Sequence, residues 1–163
     1  MVEDTAVSLH RAFVTGGTGF LGLNLIEQLV GAGWQVSALH RPTSNLAEIG
    51  RFPVDLVAGD LTDLASLKRA IPEAADAVFH VAADTSVWSR HDERQTRTNV
   101  EGTRHMVEAA LARRVGRFVH TSTWNVYGLG QGTISEDSPK LGGTSWINYD
   151  RSKFRAEEAV RAG

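Results

Sequence analysis

A turn built on glycines, VTGGTGFLG at Val14–Gly22, constrains this chain more than any other stretch. It follows a short apolar run, RAFVT at Arg11–Thr15, which suits a buried strand. It opens a helical stripe of Leu21, Leu25, Ile26, Leu29 and Val30, which Gly31 and Gly33 bring to a stop. The three spaced glycines have separate physical uses. Gly16 permits the tight turn, Gly19 lets backbone N–H groups come close to a diphosphate, and Gly22 lets the helix pack near the strand. Free amides and the dipole at a helix start favour an anion. A glycine-rich turn without a ligand is the other reading, and the flanking strand and helix weigh against it.

The rest of the chain alternates between the two periods. Gln35–Leu39, Val54–Ala58, Ala77–Ala82 and Arg117–Thr121 read as further strands. Leu64–Ala70 reads as a short helix closed by Pro72. Arg97–Arg113 reads as a longer helix with Val100, Met106, Val107, Ala110 and Leu111 on one side, and a last helix starts near Ile147. Alternation of this kind predicts an α/β chain: a doubly wound parallel sheet of the Rossmann type, with helices on both faces. Residues 1–163 read as one dinucleotide-binding domain. Ligands of such sheets sit beyond the carboxyl ends of the strands, which here are Gly16, His40, Asp60, Ala82 and Ser122.

Bulk properties narrow the function classes. A net charge of -2 provides no field to recruit nucleic acid or anionic membrane. Without cysteine there is no disulfide framework, thiol nucleophile or thiolate zinc site. The six histidines show no ligand spacing, so no metal is expected. His80 and His120 end apolar strands and read as satisfied core histidines. No apolar run approaches the ~18 residues that span a bilayer, and the start MVEDTAVSLHR lacks the basic and apolar parts of a signal peptide. A cytoplasmic location is the resulting expectation.

After the second strand the chain reads ALHRPTSN, Ala38–Asn45, without the acid that would bind a ribose 2′-hydroxyl. Arg41 stands beside that slot, and a guanidinium can pair with a 2′-phosphate. NADP is therefore favoured over NAD. The plainer reading leaves Arg41 as a solvated loop charge.

With these features in hand, the chain resembles the extended short-chain dehydrogenase/reductase superfamily, its NAD(P)-dependent epimerase/dehydratase group, and within it dihydroflavonol-reductase-like and sugar-epimerase-like members. TGGTGFLG, HRPTSN, GDLTD, HVAADTSVW, TNVEGT, TSTWNVYG and YDRSK occur in the family's order and spacing from about Arg11 onward. The resemblance implies that Phe20 and Leu21 offer N–H groups to the pyrophosphate. It implies that Asp60 and Leu61 lie against adenine and that Val81, Ala82 and Ala83 wall the adenosine ribose. Asn99 would anchor the loop after the fourth strand near the cofactor. Taken singly, Asp60 reads equally well as the N-cap of the next helix and Asn99 as a capping amide.

Tyr149 and Lys153 are four residues apart and share a helix face. A nearby ammonium stabilises a phenolate, so this spacing has a chemical use: the lysine tunes the tyrosine. By resemblance, Tyr149 passes a proton to or from a substrate oxygen as hydride moves at carbon, and Lys153 also holds the nicotinamide ribose. The family pattern places the third member at Thr123, ahead of its neighbour Ser122. Trp88 and Trp124 lie past strand ends and either line a substrate pocket or pack under a loop. RHDERQTR, Arg90–Arg97, reads as a solvated helix start.

The family pattern continues with further strands and a substrate region beyond Gly163. The sheet implied here has about five strands, in order 3-2-1-4-5, with the last edge bare. A homodimer through the two long helices is expected, with strand or domain exchange as a variant. Two functions follow. One is an NAD(P)-dependent oxidoreductase or epimerase/dehydratase acting on a small carbonyl, alcohol or nucleotide sugar. The other is a truncated, non-catalytic nucleotide-binding module.

Overall fold

Strand β1 (Arg11–Thr15) buries Ala12, Phe13, Val14 and Thr15, so both of its faces are covered at once. A strand apolar on both faces belongs in the middle of a parallel sheet. In this computed structural model, which describes residues 10–86, 88–128 and 132–163, β1 is the central strand. It pairs on one side with β2 (Gln35–His40) and on the other with β4 (Ala77–His80). Strand β3 (Asp55–Ala58) pairs with β2 and β5 (Arg117–His120) with β4. Every pairing is parallel, and the order is β3-β2-β1-β4-β5. This is the doubly wound Rossmann-type sheet that the alternating periods predict.

Period-two alternation assigns the side chains to two cores. Ala12 and Val14 face one way, where Ile26 and Leu29 of helix α1 (Phe20–Gly31) pack with Val36 and Ile49. Phe13 and Val78 face the other way, against Leu67 of α2 (Leu64–Ala70) and Met106 of a long helix beyond β4. Leu21, expected on the buried stripe of α1, is exposed at the helix's first turn, and Gly22 takes the buried position.

Strand β4 ends at His80, two residues before the expected end at Ala82. The Gly16 turn lies against that exit: a Cβ on Gly16 would come within 2.7 Å of the Ala82 nitrogen. The Ala82 N–H is drawn out of the ladder to the Thr15 hydroxyl, at 3.2 Å.

The helix expected over Arg97–Arg113 begins earlier and is not uniform. Helix α3 (Asp92–Thr96) runs into a π-helical turn (Arg97–Glu101) and then into α4 (Gly102–Ala112). The Thr103 hydroxyl donates to the Asn99 carbonyl at 2.6 Å, which competes with the regular ladder. Gly102 sits against Leu61, where a Cβ would approach Leu61 Cβ to 2.9 Å. Within RHDERQTR, Gln95 is buried, a correction to the reading of that stretch as solvated. The last helix, α5 (Asn148–Ala162), packs against α3, the π turn and α4. Among the described residues no helix is long and apolar enough to cross a membrane.

Candidate active site at the carboxyl edge of the sheet

The turn after β1 has the geometry its glycines predict. Gly16 has φ of 76°, a left-handed backbone that favours glycine. A Cβ on Gly22 would fall 2.1 Å from the Gly16 oxygen, so helix and turn touch backbone to backbone. Gly19 differs: its added Cβ would meet only the Gly16 oxygen, at 3.4 Å. The chain's own packing makes no demand for glycine there. Gly19 is the N-cap of α1, without a side-chain cap bond, and the first turn holds no acid. The amides of Phe20 and Leu21 thus begin the helix without a capping side chain, which leaves them to an outside acceptor. Gly17, not singled out from sequence, packs inward, since a Cβ there would meet Ile26 and Ile49 within 3 Å.

The next strand ends lie on the same edge. Asp60 follows β3 and Gly59, whose N–H donates to the His40 carbonyl at 3.0 Å. One Asp60 oxygen accepts from the Thr62 N–H at 2.8 Å and the Thr62 hydroxyl at 2.7 Å. The Thr62 amide above all holds this carboxyl below its usual range; burial opposes, and the Thr62 hydroxyl, Arg41 and Arg97 assist. The N-cap of α2 is Asp63, which accepts from Ser66, so the capping reading of Asp60 is overturned. The Leu61 side chain is committed to the core. Val81, Ala82 and Ala83 are half-buried beyond β4. Arg41 is exposed, and its amide donates to the Ser44 hydroxyl at 3.2 Å.

Asn99, in the π turn, is 2% exposed and uses its whole amide. Its Oδ1 accepts from the Asp84 N–H at 2.7 Å, and its Nδ2 donates to the Asp84 carbonyl and the Ser152 hydroxyl, each at 3.0 Å. It clamps the loop after β4 to α5.

Helix α5 brings Lys153 to the end of β5. The Lys153 ammonium donates to the Thr121 carbonyl at 2.7 Å and lies 3.4 Å from His120 Nε2. Burial pushes this lysine down to about 8, with Glu157 opposing. No hydrogen bond joins it to Tyr149, which is half-buried. His120 corrects the expectation of a satisfied core histidine, because its buried Nδ1 has no partner. Burial, then Lys153, holds His120 at about 4. His80 does fit that expectation, with a threonine hydroxyl on each ring nitrogen.

The two hydroxyls after β5 separate cleanly. Ser122 donates to Glu157 at 2.5 Å, and Glu157 also holds Lys140. Thr123 caps the short turn Trp124–Tyr127, accepting from the Asn125 N–H at 3.3 Å. Ser122 is tied to a carboxylate from α5, whereas Thr123 makes only long bonds within its own turn. Trp88 and Trp124 are 68% and 62% exposed, so neither packs under a loop.

Sequence reasoning missed Asp150, fully buried between the tyrosine and the lysine. It accepts from Asn125 Nδ2 and Ser145 Oγ, each at 2.7 Å, and so braces the Thr123 turn against α5. It also missed Asn148, whose Nδ2 donates to the Asp92 carbonyl and to Gln95 at 3.0 Å. Nothing local in YDRSK distinguishes a buried acid from a solvated one. Among the described residues no group of three His, Asp or Glu is placed to hold a metal ion.

Residues 12–162 match the model of the NAD dependent epimerase/dehydratase family. A Synechocystis sp. protein provisionally named dihydroflavonol 4-reductase is 38% identical over 148 residues, covering 90% of this chain and 43% of that protein. The 2-alkyl-3-oxoalkanoate reductase of Shewanella oneidensis is 33% identical, covering 98% and 40%. Among solved structures, DesIV, a dTDP-glucose 4,6-dehydratase from Streptomyces venezuelae with NAD and TYD bound, superposes with a TM-score of 0.81 at 32% identity. It covers 93% of this chain and 51% of its own. The chain thus spans about half the length of the proteins it matches or less.

Proposed function

Because the chain belongs to the NAD dependent epimerase/dehydratase family, we propose that it forms the cofactor-binding part of an oxidoreductase or epimerase/dehydratase that moves hydride at a carbonyl or alcohol carbon. When bound, a nicotinamide cofactor supplies the hydride acceptor or donor. The residues of this chain do the rest. The Phe20 and Leu21 amides at the start of α1, with Gly16, Gly19 and Gly22 shaping the turn, bind the diphosphate. The second Asp60 oxygen would be left to accept from the adenine amino group beside Leu61. Val81, Ala82 and Ala83 would form the small wall at the ribose, just ahead of Asp84, which Asn99 holds.

In the reducing direction the carbonyl carbon accepts hydride and its oxygen takes the Tyr149 proton, giving the alcohol. Solvent returns a proton to the phenolate. Thr123 holds the substrate oxygen in line. Lys153, fixed on the Thr121 carbonyl, supplies positive charge on the Tyr149 face of α5 and a donor for the nicotinamide ribose. The oxidising direction reverses each step. Substrates are a small carbonyl or alcohol, or a nucleotide sugar as in DesIV. The chain's preference is for NADP over NAD, through Arg41, which is exposed at the end of β2. A homodimer through α4, α5 and the β5 edge belongs to the same reading, supported by exposed Leu111 and Val119.

One observation carries the proposal: Gly19 stands where the fold needs no glycine, before helix amides without a cap, on the same sheet edge as Lys153. The test is a fluorescence titration of the chain with NADPH and NADH, wild type against Arg41→Ala. It is joined by turnover of a ketone and nucleotide-sugar panel by the whole protein, wild type against Tyr149→Phe. Tighter NADPH binding that Arg41→Ala abolishes, with turnover lost in Tyr149→Phe, supports the enzyme. Binding without turnover, indifferent to Tyr149→Phe, supports the non-catalytic module.

A further inference from the structure

A run of buried polar side chains crosses the molecule beneath this edge, and the function above uses only one of them. Thr15, His80, Asn99, Thr103 and Ser152 are each 2% exposed or less. Their hydrogens can be assigned from the partners. The Thr103 hydroxyl donates its one proton to the Asn99 carbonyl at 2.6 Å. Toward His80 Nε2, 3.0 Å away, Thr103 must therefore accept, so that ring nitrogen carries the proton. In a neutral ring Nδ1 is then bare and accepts from the Thr15 hydroxyl at 2.8 Å. Thr15 in turn accepts from the Ala82 N–H at 3.2 Å. Burial, with His120 and Lys153 nearby, keeps His80 neutral, which agrees with that assignment.

The far end is equally determined. Asn99 Nδ2 donates to Ser152 Oγ at 3.0 Å, and Ser152 donates to the Tyr149 carbonyl at 2.8 Å. One end of the run is thus the backbone of the loop against the Gly16 turn, and the other is the backbone of the Tyr149 helix.

Resting on the hydride-transfer reading above, we propose that His80 is a positioning residue: a neutral, Nε2-protonated imidazole that couples the cofactor-side loop at Ala82 to the Tyr149 helix through Thr103, Asn99 and Ser152. A network with every donor and acceptor matched has one arrangement, so a shift at one end is felt at the other. Asn99 already ties Asp84 to α5 through Ser152. The His80 branch adds a second tie, from Ala82 and the strand that ends in the glycine turn.

The experiment has two arms. The first is 15N spectroscopy of the histidine rings in the chain without cofactor. A protonated Nε2 and an acceptor Nδ1 at His80 near neutral pH support the proposal, and an Nδ1–H tautomer or an imidazolium overturns it. The second is amide hydrogen exchange of wild type, Thr103→Val and Thr103→Ser. Thr103→Val keeps the shape and removes the His80 branch while Asn99 still ties Asp84 to Ser152, so exchange is expected to rise roughly tenfold or more at both Ala82 and 149–153, as for a lost buried hydrogen bond. Thr103→Ser restores wild-type protection. A rise confined to the neighbourhood of residue 103 overturns the coupling. Should Thr103→Val fail to fold, Thr15→Val removes the donor to His80 Nδ1 at the other end, and a rise at 149–153 supports the coupling while unchanged exchange there overturns it. With NADH or NADPH added, slowed exchange at 149–153 in wild type that is lost in Thr103→Val at nearly unchanged affinity separates coupling from mere support. If wild type binds neither cofactor, the hydride-transfer reading fails while the cofactor-free arms still judge the relay.

Discussion

Gly19→Ala separates what the fold needs from what a ligand needs. Gly19 has φ of -92° and ψ of 169°, a backbone alanine adopts without strain. The new Cβ would meet only the Gly16 oxygen at 3.4 Å, an ordinary contact. Alanine stabilises by about 0.4–1 kcal/mol through a narrower unfolded ensemble. It is also a poorer N-cap than glycine, which costs a comparable ~0.5–1 kcal/mol. The two nearly cancel, so the urea midpoint should stay close to wild type. On the proposed function, that methyl group would stand in the path of a diphosphate. Overpacking of that kind costs about 1–3 kcal/mol, or roughly a 5- to 150-fold loss of affinity. Gly22→Ala is the control: its Cβ at 2.1 Å from the Gly16 oxygen forces the turn apart and should lower the urea midpoint itself. Urea unfolding and fluorescence titration with NADH and NADPH read the two quantities independently. Affinity within twofold of wild type in Gly19→Ala, or a stability loss as large as that of Gly22→Ala, would refute the reasoning.

Asp150→Asn should destabilise by about 1–3 kcal/mol, a melting temperature lower by roughly 3–10 °C, because an amide donor would face Asn125 Nδ2 or Ser145 Oγ; an unchanged melt contradicts this. Ala74 has φ of 50°, and Ala74→Gly should raise stability by about 1 kcal/mol in urea unfolding. His80 and His120 are both held low, His120 at about 4, mainly by burial. Unfolded histidines take up protons near pH ~6.5, so between about 6.5 and 4 the unfolded chain binds more protons and stability falls as pH falls. The urea midpoint should therefore drop between pH 7 and pH 5, and less steeply in His120→Leu; a flat profile in wild type would rule the linkage out.

The strands and helices were readable because each announces its period locally, and glycine spacing announces the turn; the strand order came with the family resemblance. The limits of those elements were less so. Strand β4 stops at His80 because the Gly16 turn abuts Ala82, a contact between residues 66 positions apart in sequence. The π turn at Arg97–Glu101 includes the Asn99 carbonyl, which takes a threonine hydroxyl that in sequence resembles any other. His120 looks like His80 in sequence, an apolar strand ending in histidine, yet one ring finds two threonines and the other leaves a nitrogen unpartnered.

The sequence by itself determined the alternation of strands and helices and the glycine turn, since periodicity, turn residues and residue type are local properties. Which polar side chain is held by a distant partner was decided only by tertiary structure. Glu157 arrives from α5 to occupy Ser122 and leaves Thr123 to its own turn, and the Thr121 carbonyl takes the Lys153 ammonium. Hydrogen-bond partners of buried polar groups come from distant segments, and no local pattern encodes which donor will find which acceptor.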